Sequence, residues 1–228
     1  MSDQPSRAFQ DYLKAIHYLE GHQRHVSPVA IAARLQVKAP SVTGMLKRLA
    51  EAGLIQYESG VGAQLTAQGI TEARRVIRRH RLVELFLTRV LGLDWSEVDA
   101  EAEALEHAIS PRLEQAMARF LGEPLEDPHG HLIPSQDGLL IQRSLTPLNS
   151  FTEGDTVIIR EARDDDPIRL RNWQRLGLMP GVRVHFVRHR PLDDLFELET
   201  GSGPVSVGSA GLTGLLGELE RTHEISER

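Results

Sequence analysis

The 228 residues contain no cysteine. That absence rules out a disulfide framework and a thiolate zinc site. Any metal must then be held by Asp, Glu, His or carbonyl oxygens, a donor set that suits Mn(II) or Fe(II) better than softer ions. No stretch approaches the roughly 18 apolar residues of a membrane span, and Met1-Ser-Asp-Gln-Pro5 does not have the form of a signal peptide. The expectation is a cytoplasmic protein with no membrane partner. Neither a Ser or Cys nucleophile motif nor a phosphate loop is present, so catalysis and a small-molecule substrate are not expected. What is present is the composition of a soluble globular chain, 40% hydrophobic and 25% charged. It is long enough for one large domain or two to three small ones.

The formal net charge of -6 is unevenly spread. Residues 1–80 carry 11 Lys and Arg against 6 Asp and Glu, and the remainder carries 15 against 26. A basic N-terminal third on an acidic body is the asymmetry of a nucleic-acid-binding module joined to something else.

Ser6 to Gly21 reads as an amphipathic helix with Phe9, Tyr12, Leu13, Ile16 and Leu19 on one stripe, and Asp11 and Lys14 beside it. Ser27-Pro28 is an N-cap followed by proline at the first helical position, opening a short helix to Leu35. Gln36 to Ala39 connects it to a second helix, Pro40 to Leu49, with Val42, Leu46 and Leu49 inward. Ile55 to Leu65 then patterns as a hairpin turning at Ser59-Gly60 and Gly62. This succession predicts a winged helix-turn-helix.

A long helix follows from Thr66 to about Leu91, basic through Arg74, Arg75, Arg78, Arg79, His80 and Arg81 and apolar afterwards. Helices Trp95 to Ala108 and Pro111 to Leu121 come next, and the three are apolar enough to bury a dimer interface. Between Gly122 and Asn149 the chain is rich in Pro, Gly and polar residues. There His129 reads as a turn residue with a structural hydrogen bond and His131 as a solvent histidine. Thr156 to Arg160, Val182 to Val187, Phe196 to Glu199 and Pro204 to Val207 alternate like strands and predict a small barrel. A disordered tail, Arg221 to Arg228, is expected after it. The fold class is therefore mainly α with a C-terminal all-β part. The domains expected are a winged helix-turn-helix over 1–70, a helical dimerisation domain over 71–134, a linker over 135–149 and a β-barrel over 150–228.

The stretch Glu101-Ala-Glu-Ala-Leu-Glu-His107 carries the clearest chemistry. On a helix, Glu103, Glu106 and His107 fall at i, i+3 and i+4 and share one face. Two carboxylates and an imidazole so spaced can grip one divalent ion; an ordinary exposed Glu-rich face is the alternative. His80 and Glu84, at i and i+4, form a second ligand-type pair.

Taken together these motifs resemble the metal-dependent transcriptional repressors of the DtxR/MntR family over nearly the whole chain. The resemblance rests on Asp11-Tyr-Leu, Ala39-Pro-Ser-Val-Thr43, Ala52-Gly-Leu-Ile55, Arg79-His-Arg-Leu-Val-Glu84, Glu103-x-x-Glu106-His107, Asp127-Pro-His-Gly-x-x-Ile-Pro134 and Leu176-Gly-Leu-Met-Pro-Gly181, in family order. It implies a homodimer that binds palindromic double-stranded promoter DNA when loaded with Mn(II) or Fe(II), with an SH3-like C-terminal domain. It implies a regulatory metal site of Asp11, Glu103, Glu106 and His107, tying the winged helix to the dimer core and setting the reading heads one DNA turn, roughly 34–36 Å, apart. An ancillary site would use His80, Glu84 and Asp99, with Asp164, Asp165 and Asp166 the nearest additions from the barrel and Asp166 the one carried forward.

The hard carboxylates at Asp11 and Glu103 resemble the manganese type and favour Mn(II), with Fe(II) as the second choice. Lys14 stands where members with a paired metal cluster have Glu, and a cation there disfavours a second metal beside the first. The DNA contacts expected are Ser27, Lys38, Pro40, Ser41, Thr43, Lys47 and Arg48, with Gly44 leaving direct base readout thin. Two rival readings remain: a metallohydrolase built on the E-x-x-E-H helix, and a winged-helix regulator that senses a small molecule.

Overall fold

In a computed structural model, residues 6–21, 25–164 and 166–220 are described. They divide into two compact units. The first comprises Met1–Val83, Glu103–Phe120 and Ile133–Ile141, and the second Glu84–Ala102, Leu121–Leu132 and Gln142–Arg228. Asp165 and the tail 221–228, both named above, lie outside the described residues.

The first unit opens with α1 (Arg7–Glu20), whose Tyr12, Leu13 and Ile16 are buried. Helices α2 (Pro28–Leu35) and α3 (Ala39–Glu51) follow, then an antiparallel hairpin of β1 (Ile55–Glu58) and β2 (Gly62–Leu65). Ser27 Oγ accepts from Ala30 N at 3.2 Å and so caps α2. Gln36 turns the chain between the two helices in the left-handed region, at φ 53°. Ile31, Val42, Leu46, Leu49, Leu54 and Ala63 close one core with α1, each large side chain contributing about 1.5–3 kcal/mol. Glu20 fastens α1 to the wing by accepting from Leu65 N at 2.6 Å. The long helix α4 (Ala67–Arg89) starts hard against the wing: a Cβ on Gly69 would lie 1.9 Å from Leu54 O, so only glycine fits.

The basic first half of α4 is largely spent inside this unit. Arg78 is buried, pairing with Glu114 at 2.9 Å and donating to Pro134 O at 2.7 Å. Arg74 donates to His17 Nε2 at 3.4 Å and to Gly138 O at 3.1 Å. That second bond, with a turn in which Leu139 N donates to Ser135 Oγ at 3.0 Å, gives defined structure to the start of the segment expected to be a linker.

Helix α5 is shorter than its sequence pattern, Val98–Leu105 in place of Trp95 to Ala108. At its start, Asp94 Oδ1 accepts from Ser96 N and Oγ at 2.9 and 2.6 Å and forms a turn. At its end, Ser110-Pro111 opens α6 (Pro111–Phe120), with Ser110 Oγ accepting from Leu113 N at 3.2 Å. Proline disfavours a helical residue before it, and the chain leaves α5 through a tight turn at 106–108.

The second unit is built on a six-stranded antiparallel sheet, ordered β3-β8-β4-β5-β6-β7. Its strands are β3 (Thr146–Pro147), β4 (Thr156–Ala162), β5 (Arg183–Arg190), β6 (Leu195–Thr200), β7 (Gly203–Gly208) and β8 (Leu215–Leu219). β3 falls inside the expected linker. Irregular registers at Ile159/Glu161 and Phe186/Arg188 bend the sheet. Helix α7 (Pro167–Leu176) and a short α8 (Ser209–Leu212) cover it, with Trp173, Phe186, Phe196 and Trp95 in the core. Asp166 caps α7, its Oδ1 accepting from Ile168 N at 2.9 Å.

Candidate metal centre

The first unit gathers the chemistry of α1, α4 and the turn after α5. His107, in that turn, donates from Nδ1 to Gln10 Oε1 at 2.9 Å. The same oxygen accepts from Arg79 Nη2 at 3.0 Å, and both Gln10 and Arg79 are buried. A guanidinium only donates, so it holds the amide with its oxygen toward the imidazole; Nδ1 therefore carries a proton, and in the neutral imidazole Nε2 has a lone pair. That lone pair lies 2.7 Å from Asp11 Oδ1 and 3.3 Å from Glu106 Oε1. Asp11 Oδ1 and His107 Nε2 are both buried without a hydrogen-bond partner among the described residues. With the imidazole neutral, three electron-pair donors converge here, which is repulsive until positive charge is supplied, by a proton on Nε2 or by a metal ion.

The electrostatics follow. Burial raises the Asp11 pKa, against His107, which lowers it; Glu103 adds to the rise. Glu106 is fully buried, and burial alone would raise its pKa, but a hydrogen bond from His80 and the charge of Lys14 bring it below the usual range. The donor set is two hard oxygens and one imidazole nitrogen, held from behind by Gln10. It fits a divalent cation of the Mn(II) or Fe(II) class.

Glu106 also faces a second group. Its Oε2 lies 2.7 Å from His80 Nδ1. Lys14 Nζ lies 3.0 and 2.9 Å from the two Glu106 oxygens, hydrogen-bonds Glu103 Oε2, and stands 3.3 Å from His80 Nδ1. Burial pulls the Lys14 pKa down, but Glu106 and Glu103 outweigh it, so the ammonium is held charged.

Of the four residues expected at the regulatory site, Asp11, Glu106 and His107 come together while Glu103 is drawn to Lys14 and His80. Glu103 stays within reach of Glu106, both meeting the Lys14 ammonium. The expected ancillary set is divided between the units, His80 in the first and Glu84 and Asp99 in the second. Glu84 is buried in its unit, Oε1 3.5 Å from His129 Nδ1. His129 is a buried turn residue, stacked on Trp95 with Nε2 2.9 Å from Trp95 O. His131 is tied to Asp127 Oδ2 at 3.1 Å.

Gln10 was missed in the sequence, and Arg79 was read there only as part of the basic run and its motif, without its contact to Gln10. The one visible sign was a polar residue at position 10 next to Asp11, and a single buried amide leaves no periodic trace.

On α3 the expected DNA residues Lys38, Pro40, Ser41, Lys47 and Arg48 are exposed, Thr43 is half-buried, and Ser27 is exposed at the start of α2. Arg48 is partly engaged, its guanidinium 5.2 Å from the Phe9 ring centre.

Comparison with known proteins agrees with this architecture along the chain. Residues 6–63 match the iron dependent repressor N-terminal DNA binding domain, 66–135 the iron dependent repressor metal binding and dimerisation domain, and 146–210 the FeoA domain. The iron-dependent repressor IdeR of Mycobacterium leprae is 31% identical over 187 residues, 76% of this chain and 80% of its own length. A solved manganese-dependent transcriptional repressor in complex with manganese is 35% identical, with a TM-score of 0.84 over 92% of this chain and 99% of that one. The manganese regulator SloR is 29% identical, with a TM-score of 0.71 over 93% and 98%. The chain belongs to the DtxR/MntR family of iron-dependent repressors, DNA-binding transcriptional regulators that depend on a divalent metal and dimerise.

Proposed function

We propose that this chain is an Mn(II)-responsive repressor of metal-uptake genes, homodimeric on palindromic promoter DNA, with Asp11, Glu106 and His107 as its sensing residues. One observation carries the reading: Asp11 Oδ1 and His107 Nε2 are buried 2.7 Å apart, and neither has a hydrogen-bond partner among the described residues. A bound divalent ion supplies the positive charge that makes that convergence favourable.

Asp11 belongs to α1, which packs on the helix-turn-helix, and His107 to the turn following α5. Closing them on one charge therefore fastens the DNA-reading helices to the dimerisation segment. It favours the DNA-competent arrangement to the extent that this arrangement binds metal more tightly. Gln10 keeps the His107 lone pair aimed at Asp11, and Arg79 keeps Gln10 in place. The exposed face of α3 then meets DNA. At the start of α3 Pro40 has no N–H and Ser41 N donates to Lys38 O at 3.0 Å, so phosphates meet side chains such as Lys38, Ser41 and Lys47. Leu105, Leu113 and Phe120, exposed in the first unit, supply an apolar surface for the second copy.

Manganese is favoured by the two hard carboxylates and by the manganese-dependent relative. Fe(II) is the second reading, favoured by the iron-dependent repressor among the relatives. The test is calorimetric titration of metal-free protein with Mn(II) and, without oxygen, Fe(II), each loaded form then being assayed on promoter DNA. Mn(II) binding that Asp11→Asn abolishes, with metal-dependent DNA retention, supports the reading. Equal DNA retention with and without metal would overturn it.

A further inference from the structure

His80, Glu103 and Glu106 offer ligand atoms that all lie within 4.8 Å of one another, the density of a metal-binding group. A cation already stands in that group. Lys14 reaches in from α1, with Nζ bonded to Glu103 and to both oxygens of Glu106, and 3.3 Å from His80. Three donors on one ammonium meet two carboxylates, one of them fully buried. The contacts span α1, α4 and the α5 segment, so they do not arise from neighbours on one helix.

We propose that the Lys14 ammonium is a built-in cation filling a second, latent metal site of His80, Glu103 and Glu106. It restricts the sensing cluster to one metal ion per chain and fastens α1 to α4 and α5 before metal arrives. The inference rests on Asp11, Glu106 and His107 being the metal site.

Geometry and charge argue for it together. Glu106 is the shared carboxylate, Oε1 toward His107 and Oε2 toward His80. A carboxylate so placed can bridge two cations, and in two-metal sites such cations stand roughly 3.5–4 Å apart. Here the cation at the His80 end is covalently tethered and cannot be chelated away. The cluster therefore answers to metal at its Asp11 end alone, while Glu103 is kept bonded to lysine.

An isolated surface ion pair would behave differently on removal of the lysine: some stability would go and no site would appear. A latent metal site would open. The experiment uses the full-length protein, stripped of metal and loaded with Mn(II), as wild type, Lys14→Glu, Lys14→Gln and Asp11→Asn. Metal content is read by elemental analysis and ion spacing by electron paramagnetic resonance.

For wild type, the expected result is one Mn(II) per chain in this cluster, with the spectrum of isolated ions, lost in Asp11→Asn. For Lys14→Glu it is one additional Mn(II) per chain and an exchange-coupled spectrum from a close pair. Lys14→Gln, which removes the cation without adding a ligand, should gain the same ion more weakly, and serves if Lys14→Glu does not fold. A coupled pair already in wild type, or unchanged content with isolated ions in both lysine variants, overturns the proposal. If wild type and Asp11→Asn are equally empty, the primary-site reading fails instead; the lysine proposal is then decided by whether the two lysine variants gain an ion.

Discussion

Two groups of Asp and His residues, one in each unit, have similar composition and opposite chemistry. In the second unit, Asp127 Oδ1 accepts from His129 N and His131 N at 2.8 and 3.0 Å, and His131 Nδ1 lies 3.1 Å from Oδ2. His129 gives its Nε2 proton to Trp95 O. Every charge and lone pair named there answers to a local hydrogen bond, and the group is a turn made rigid. In the first unit, Asp11 Oδ1 and His107 Nε2 lie 2.7 Å apart, both buried and without a hydrogen bond among the described residues. Ligand-type residues within reach of one another are thus common to both. Buried ligand atoms left without a hydrogen bond, Asp11 Oδ1 and His107 Nε2, are what set the metal centre apart.

The sharpest way to break the contrast is to delete one member of each group. Asp11→Ala should weaken Mn(II) binding by more than the roughly 10–100-fold expected of an outer-shell partner, whereas His131→Ala should leave the calorimetric isotherm in place. Equal losses in the two variants would mean that both groups bind metal.

Gln10→Leu comes next. It leaves every proposed ligand intact but removes the acceptor that fixes the His107 proton on Nδ1, so affinity should fall roughly 10–100-fold. Mn(II) titration checks this, and an unchanged affinity would show that the imidazole is oriented by something else. In the second unit, Asp127→Ala should lower unfolding stability by about 1–3 kcal/mol through the loss of buried hydrogen bonds, with metal stoichiometry unaltered. Urea denaturation followed by elemental analysis separates the two readouts.

The smallest expected effect lies at His17, in the first unit. Burial, then the charges of Arg74 and Arg81, push its pKa from 6.5 to about 4. The unfolded chain takes up this proton near pH 6.5, while the folded chain resists until about 4. Its contribution to stability is thus complete above pH 6.5 and is lost as pH falls toward 4. His17→Gln should flatten that acid limb in a series of urea midpoints across the window, and an unaltered slope would remove His17 as its source.

Much of the first unit was legible because helices and hairpins leave periodic apolar traces. The buried Leu13, Ile16, Val42, Leu46 and Leu49 are residues the stripes marked. The site was legible in part. Asp11, Glu103, Glu106 and His107 were recognised by type and family position, and what the sequence did not show is that Glu103 meets Lys14. The Ser110-Pro111 boundary was visible, yet its effect on the turn before it depends on how α6 packs. Four arginines of the basic run on α4 counted toward the positive balance of residues 1–80. Arg74, Arg78 and Arg79 turn inward because Gly138, Glu114, Pro134 and Gln10, distant in sequence, supply their acceptors.

By itself, the order of residues determined the element types, the winged helix-turn-helix and the oxygen–nitrogen character of any metal site, since these depend on local periodicity, turn chemistry and the absence of thiols. Only the tertiary structure decided which carboxylate faces which imidazole, that Gln10 and Arg79 stand behind His107, and that Lys14 reaches Glu103. Those outcomes are contacts across 26 to 97 positions of sequence, and no local pattern encodes a distance between atoms brought together by packing.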